Sequence, residues 1–497
     1  MNISKNLEQS AFYFPSHKAI LEKGADISYA ELNDRANRIA TALLRIGVSA
    51  GNHIALCAPN SSAWMAFYFG ALKIGAVAVT LSSLLSRKEM DLLLRHCRPK
   101  ALFAFDDILD NVSGIRKEAG IETVISDGGD ISFEQMLAKG TAAFTAVERD
   151  RSDTAVILYT GGTTGTPKGV ELSHENISQS IQNVIFYERS TENDTALLFL
   201  PFNHVFGQMH IMNATILSAG CIELIPSFDM QAVLDILKKG RVTKLFAVPT
   251  IYARLLQLDD LKEKLGAVRY CFSAASTIAA EHVSQWKART GLSIYESYGM
   301  TEAAPMVTYN HYYRHVPGSV GTPVSGVEVE IRDPSGNTVK RGQKGEICIR
   351  GRNIMKGYLN NPRANEEAFW ENGWFRSGDI GIIDSDGYLY IVDRIKDMII
   401  TGGENVYPRE VEEILYTHPD VSECAVIGLP DPEWGEKTTA VIVTKSGKVI
   451  DESEVKAFLK SHLSPFKVPK TYCFADELPK SQTGKILKRT LKQSYLK

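Results

Sequence analysis

Ala155-Val156-Ile157-Leu158 runs straight into Tyr159-Thr160-Gly161-Gly162-Thr163-Thr164-Gly165-Thr166-Pro167-Lys168-Gly169, and no other stretch constrains the fold so strongly. The apolar, partly β-branched start reads as a buried strand. The glycines must end that strand and turn the chain. They also let backbone N–H groups converge on one point, while the threonine hydroxyls add donors and Lys168 adds charge. Together these suit a polyphosphate. The plainer alternative is a Gly/Thr surface turn. A Walker P-loop is excluded, because that motif needs Gly-Lys-Ser/Thr opening a helix. Here Pro167 precedes Lys168 and Gly169 follows it.

The surrounding pattern is that of a wound α/β sheet. Residues 27–49 carry Leu32, Ala36, Ile39, Ala40, Leu43 and Leu44 at helical spacing. Short apolar runs at 54–57, 76–81, 101–104 and 123–125 read as strands, with a helix from Trp64 to Ile74. Residues 127–153 read as a polar, irregular connector. Leu197 to Pro201 and Leu245 to Pro249 read as further strands, the second followed by a helix at 251–256. From about residue 315 the pattern turns to apolar/polar alternation, as in Val327-Glu328-Val329-Glu330-Ile331, which predicts antiparallel strands. After Asp393-Arg394-Ile395-Lys396-Asp397 comes a smaller α/β pattern of about 100 residues.

At 497 residues the chain is long enough for more than one core. A formal net charge of −3 gives no overall attraction to nucleic acid or anionic lipid. The cysteines, Cys57, Cys97, Cys221, Cys271, Cys348, Cys424 and Cys473, are scattered and contain no CxxC, so buried reduced thiols are expected. No signal peptide and no run of 18 apolar residues is apparent, so a cytoplasmic location is expected.

Five more motifs complete the pattern: Ser273-Ala274-Ala275-Ser276-Thr277, Tyr298-Gly299-Met300-Thr301-Glu302, Trp374-Phe375-Arg376-Ser377-Gly378-Asp379, the Arg394-Ile395-Lys396 segment, and Pro479-Lys480-Ser481-Gln482-Thr483-Gly484-Lys485-Ile486. With the glycine loop, in this order, they resemble the adenylate-forming enzymes: acyl-CoA synthetases, luciferases and carrier-loading adenylation domains. The resemblance covers nearly the whole chain. Gly162, where many members have Ser, is most like fatty acyl-CoA synthetases.

That resemblance implies a large adenylation domain over 1–394, β-rich from about 315, and a mobile C-terminal domain over 395–497 hinged at Lys396. It implies ATP, Mg²⁺ and CoA as ligands. Thr160, Gly161, Gly162, Thr163, Thr164, Gly165 and Lys168 would hold phosphates. Ser273, Ala274, Ala275, Ser297, Tyr298, Gly299 and Met300 would hold the base and its surroundings. Thr301 would reach phosphate, while Glu302 and Thr163 would serve Mg²⁺. Asp379 and Arg394 would bind the ribose, His204 would gate the acyl pocket, and Gly402 and Gly403 would line the pantetheine path. Lys485 would be the catalytic lysine. Two departures stand out in the adenine loop: Ala274 replaces the usual Gly, and Thr277 the usual Pro.

The implied reaction is activation of a fatty acid or similar monocarboxylate to acyl-AMP, followed by thioester formation with CoA. Asn203 and Ser297 offer no partner for a second substrate charge, and burying an unpaired charge is costly. Phe202, Val205, Phe206, Met209, Met212 and Met306 suit either an apolar wall or the core. Loading of a carrier protein is the nearest rival, and an inactive nucleotide-binding protein the remote one. The expected partners are a small carboxylic acid, ATP and CoA, with neither nucleic acid nor a membrane segment; a homodimer stays open.

Overall fold

The computed structural model describes residues 1–160, 167–481 and 484–496. Two seven-stranded sheets carry the first three hundred residues. The first runs in the order Gly357–Tyr358, Lys168–Ser173, Thr154–Thr160, Val77–Thr80, His53–Cys57, Ala101–Ala104, Thr123–Ile125. Its five strands from Thr154–Thr160 onward are parallel, and Lys168–Ser173 returns antiparallel. The second runs Ile294–Glu296, Tyr270–Ser273, Lys244–Ala247, Thr195–Leu198, Cys221–Leu224, Lys18–Glu22, Ala25–Ser28, and is parallel except at the last pair. Central strands such as Lys244–Ala247 and Tyr270–Ser273 are buried throughout, which is why they read as continuous apolar runs.

One core joins residues of both sheets with the helices Tyr29–Arg45 and Ser62–Lys73. The first is amphipathic and starts in a capping box: Ser28 Oγ accepts from the Glu31 amide at 3.2 Å, and the Glu31 carboxylate accepts from the Ser28 amide at 2.7 Å. The second is buried almost all round, as its sequence of Trp, Met, Phe, Tyr and Ala requires. The two helices cross closely at Gly70, where a Cβ would fall 2.9 Å from the Ala36 carbonyl oxygen. The 127–153 connector is less irregular than its polarity suggests. It contains a helix, Phe133–Lys139, capped by Ser132 and Gln135. The Ser-x-x-Gln spacing that signals this start was present in the sequence. A second difference is a π-helix over Phe206–Asn213, continuing as Ala214–Leu217. π-Helices are rare and frequent at functional sites.

Strands Val327–Arg332, Gly345–Gly351, Trp374–Ile383, Phe369–Trp370 and Leu389–Arg394 form a separate antiparallel sheet. From Ile399 onward the strands make their own sheet, Glu404–Val406, Ile399–Thr401, Gly435–Thr444, Val421–Asp431 and Thr471–Phe474, with its own apolar clusters. All seven cysteines are free thiols, five of them buried. Among the described residues no helix is long and apolar enough to cross a membrane.

Lys73 is fully buried, and its ammonium lies 2.5 Å from the Glu8 carboxylate. Burial lowers its pKa, and Glu8 opposes that shift. Glu8→Ala should therefore cost on the order of 3 kcal/mol in denaturant unfolding, by stranding a buried charge. Lys73→Met, which removes the charge but keeps the packing, should cost far less. Equal losses from the two changes would show that the ion pair is not what the burial depends on.

Candidate active site

The parallel strands deliver loops to one side. Residues 199–206, 248–250, 274–277 and 297–302 all follow the carboxyl ends of strands in the second sheet. That is where wound α/β sheets place their ligand crevice. The cleft there is about 660 Å³. It is lined by Thr160, Lys168, His204, Ala274, Ala275, Ser297, Gly299, Met300, Thr301, Glu302, Asp379, Arg394, Lys396 and Lys485, so most of the residues singled out in the sequence come together. Ser273 and Tyr298 border an adjoining cavity of about 250 Å³, which shares Ala275, Gly299, Asp379, Arg394 and Lys485 with the first. Gly161, Gly162, Thr163, Thr164 and Gly165 lie outside the described residues, as do Gln482 and Thr483. Gly402 and Gly403 line neither cavity. They form the exposed turn between Ile399–Thr401 and Glu404–Val406.

The glycine loop is closed by a hairpin: Thr160 pairs with Lys168 across two antiparallel strands. A strand, not a helix, follows the loop, in keeping with the exclusion of a Walker motif. Lys168 lies 4.5 Å from the centroid of the Tyr358 ring, and the Tyr358 hydroxyl donates to Glu302 at 3.0 Å. Tyr358 thus ties the loop's lysine to the acidic residue of Tyr-Gly-Met-Thr-Glu. Burial raises the Glu302 pKa. Gly299 is needed for packing, since a Cβ there would fall 2.1 Å from the Pro305 carbonyl oxygen. In the Ser273–Thr277 segment it is Ala275, with φ of 72°, that takes the left-handed backbone, and not Ala274.

Asp379 and Arg394 face each other in register on adjacent antiparallel strands. The guanidinium Nε lies 3.3 Å from Asp379 Oδ1, and the Tyr298 hydroxyl donates to Oδ2 at 2.6 Å. Tyr298 is therefore anchored through its hydroxyl, and burial followed by the Asp379 charge pushes its pKa well up. Glu346 accepts from the Gly378 amide at 3.2 Å and pairs with Arg376 at 3.1 Å, which holds the turn before Asp379.

Lys485 reaches the cleft from a tight turn in which Lys480 bridges Ile486 and the Ser481 amide donates to the Lys485 carbonyl at 2.8 Å. Gly484, at φ 77°, lets this turn approach the large sheet: Thr250 Oγ1 donates to its carbonyl at 3.3 Å, and a Cβ would fall 2.8 Å from that oxygen. Burial, and then Arg394, push the Lys485 ammonium down to about 8. His204 accepts the Phe206 amide on Nδ1 at 3.2 Å, leaving Nε2 for a proton. Burial and Lys485 push its pKa down to about 4, so it is neutral at neutral pH.

Of the six residues read as apolar wall or core, Val205 and Phe206 line the cleft. Phe202 packs on Trp64, with ring centroids 4.7 Å apart, and Met209, Met212 and Met306 are core residues. The π-helix turns its cleft-facing side through Phe206 and His210, and its Met209 and Met212 fall elsewhere. Tyr358, Glu346 and His210 escaped the sequence reading. Each lies in an ordinary-looking helix or strand pattern, and only the tertiary fold brings them to the cleft.

Two family models cover most of the chain: AMP-binding enzyme over residues 7–359 and the AMP-binding enzyme C-terminal domain over 410–485. Feruloyl-CoA synthase of an Amycolatopsis species is 36% identical over 97% of this chain and 96% of that protein. The long-chain-fatty-acid–CoA ligase FadD13 of Mycobacterium tuberculosis is 34% identical over 99% and 98%. The crystal structure of ATP-bound MatB from Rhodopseudomonas palustris matches with a TM-score of 0.93 at 36% identity, covering 100% of this chain and 99% of that one. The same comparison with its apo form gives 0.82. The chain belongs to the AMP-binding enzyme family and is an ATP-dependent acid–CoA ligase.

Proposed function

We propose that this ligase activates a monocarboxylic acid in the Lys485 cleft and then hands the acyl group to CoA after the C-terminal segment has moved. The observation that carries the reading is the gathering of Lys485, Arg394, Asp379, Glu302 and Lys168 around one cleft, while Gly402 and Gly403 stand outside it. The names of the relatives span feruloyl, oxalate and long-chain fatty acyl groups, so a carboxylate is what they share, and the monocarboxylate reading is supported by the neutral Asn203 and Ser297 alone.

In the first step a carboxylate oxygen attacks the α-phosphorus of ATP, the bond to the β-phosphate oxygen breaks, and pyrophosphate leaves. Such a step depends on positioning and charge neutralisation more than on acid–base chemistry. Lys485 supplies positive charge beside the α-phosphate and the entering carboxylate. His204, neutral and with Nε2 open to carry the proton, orients the carboxylate. Asp379, held by Tyr298 and Arg394, accepts from the ribose hydroxyls. Thr160, Lys168 and the loop between them take the β- and γ-phosphates, and Thr301 donates to phosphate. Ser273, Ala274, Ala275, Ser297, Gly299 and Met300 border the base. Glu302, a single carboxylate beside the phosphate path, fits Mg²⁺, which binds one or two carboxylates together with substrate phosphates and supplies charge neutralisation there. Thr163, its second expected ligand, lies outside the described residues.

In the second step the CoA thiol sulfur attacks the acyl carbon, the bond to the AMP oxygen breaks, and the thiol proton is lost. Gly402 and Gly403 would have to approach the cleft for this step. Lys396, between strands Leu389–Arg394 and Ile399–Thr401, is the pivot we assign, so that residues 395–497 move against 1–394.

Three outcomes test this. Lys485→Ala should slow acyl-AMP formation about 10²–10³-fold, the usual cost of one preorganised charge. Transfer from preformed acyl-AMP to CoA should stay near the wild-type rate, and a parallel fall in both steps would contradict the assignment. In wild type, adenylation kcat/KM for ATP should fall as pH rises through about 8, where Lys485 loses its proton. The thioester step from preformed acyl-AMP should instead rise over that range as the CoA thiol ionises. Lys396→Pro, which fixes φ and removes an N–H, should slow one half-reaction much more than the other in a folded protein. Equal slowing would place the pivot elsewhere.

A further inference from the structure

Glu296 ends the strand Ile294–Glu296, and its carboxyl is buried at 3% exposure. The Gly318 amide donates to it, but Oε2 has no hydrogen-bond partner among the described residues. Ser273, its partner in register on the adjacent strand, also leaves a buried hydroxyl unpartnered. Both residues line the adjoining cavity of about 250 Å³. An ionised carboxylate so placed is costly, and such a group takes a proton instead.

The far wall of that cavity belongs to residues after Lys396: Arg409, Glu412, Glu413, Tyr416, Cys424 and Lys488. None of them has a charge left over for Glu296. Arg409 Nη1 donates to the Ile391 carbonyl at 2.5 Å, and its Nε and Nη2 lie 3.3 Å from Glu413 Oε1. Lys488 pairs with Glu412 at 2.7 Å. Burial keeps Tyr416 and Cys424 neutral. On the near side, Asp379 is taken by Arg394 and Tyr298. Asp393 accepts the Arg394 amide at 2.7 Å and the Arg409 amide at 2.9 Å, so both its oxygens are held. Asp397, in the pivot segment, acts on Arg394 and Lys485.

We propose that Glu296 is a positioning residue for adenylation, and that its carboxyl must carry a proton for residues 395–497, and with them Lys485, to seat on the large sheets. Swinging that segment away takes one wall off the cavity and opens Glu296 to water, where it ionises. Seating therefore takes up a proton. This role rests on the movement about Lys396 and adds a proton to it.

The sign follows from the two environments. Burial, opposed by Arg409 and helped by Glu413, lifts the seated carboxyl to about 8. In water a glutamate titrates near about 4.3. Seating thus weakens as pH rises between those values, by up to about tenfold per pH unit for one proton, and levels off above. Burial lowers the pKa of His282, which meets Tyr416 edge-on, and of His315. Those two act in the opposite sense, below about 6.5. Lys485, pushed down to about 8 when seated, favours seating only above that pH. Burial raises the pKa of Asp393, which shares the sign of Glu296, so a Glu296 variant is needed to separate them.

The test places a donor and an acceptor dye, through unnatural amino acids, at the exposed positions of Lys239 and Lys460 in the full-length enzyme. The ratio of seated to released segment is followed without substrates. It should fall by up to about tenfold per unit between pH 6.5 and 8. Glu296→Gln, which keeps the shape and stays uncharged, should flatten that response. Glu413→Gln, which removes a like charge, should move it to lower pH. The infrared difference between wild type and Glu296→Gln should show a neutral carboxyl at pH 6.5 that is gone by pH 9. An unchanged slope in Glu296→Gln, or an ionised Glu296 at pH 6.5, would overturn the inference. Should Glu296→Gln fail to fold, the Glu413→Gln shift decides. A dye distance that responds to ATP or CoA but not to pH would remove this inference and keep the movement. A distance that nothing changes would remove both.

Discussion

Asp379 stands where three separately built parts of the chain meet. Tyr298 comes from the loop after the last strand of the second sheet, and Arg394 from the antiparallel sheet. Lys485 comes from the turn near the C-terminus and is held in the same cleft. Remove the carboxylate, and a guanidinium and an ammonium would face each other in a poorly hydrated space. The lowered pKa of Lys485 already records that tension, with burial as its first cause and Arg394 as its second. The triphosphate proposed to bind here would relieve it. The site is thus assembled with positive charge in excess of what the protein itself neutralises, as an enzyme needs when its substrates are anionic.

The second cavity shows the same economy between the large sheets and the C-terminal segment. Glu296 is buried, and burial pushes its carboxyl up to about 8 in spite of Arg409. Arg409 also donates its amide to Asp393 at 2.9 Å, and Lys488 pairs with Glu412 at 2.7 Å. This seam is polar and pairs charges, unlike the apolar clusters on either side of it. Polar interfaces of this type hold parts of a chain together without fixing them, which fits the movement proposed for this segment between two half-reactions.

Much of this was legible because the motifs are local. The strand before the glycine loop, the Asp379–Arg394 strand pair and the lysine turn each lie within a few residues of a readable signal, and all reach the cleft. The wound sheets were legible too, because buried parallel strands leave runs such as Leu245-Phe246-Ala247 with no polar alternation. The helix at Phe133–Lys139 was hidden by a polar exterior, although its cap spelled it out. The acyl side of the cleft was the least legible part. Periodicity cannot show that a stretch winds with five residues between hydrogen-bonded groups, so Met209 and Met212 read as wall or core alike and His210 was passed over. Its partner Glu188 is distant in sequence, and only the packing of helix His174–Glu188 on the π-helix brings the two together.

Attack of the substrate carboxylate on the α-phosphorus of ATP in this cleft is the step on which the proposed function stands. The most direct measurement is to supply an accepted acid labelled with ¹⁸O in both carboxyl oxygens, run the full reaction with ATP and CoA, and weigh the products by mass spectrometry. One labelled oxygen should appear in AMP for each thioester formed, with none in pyrophosphate. Unlabelled AMP, or label in pyrophosphate or inorganic phosphate, would mean that the carboxylate is activated at another phosphorus, and the reading of the Lys485 cleft would be wrong.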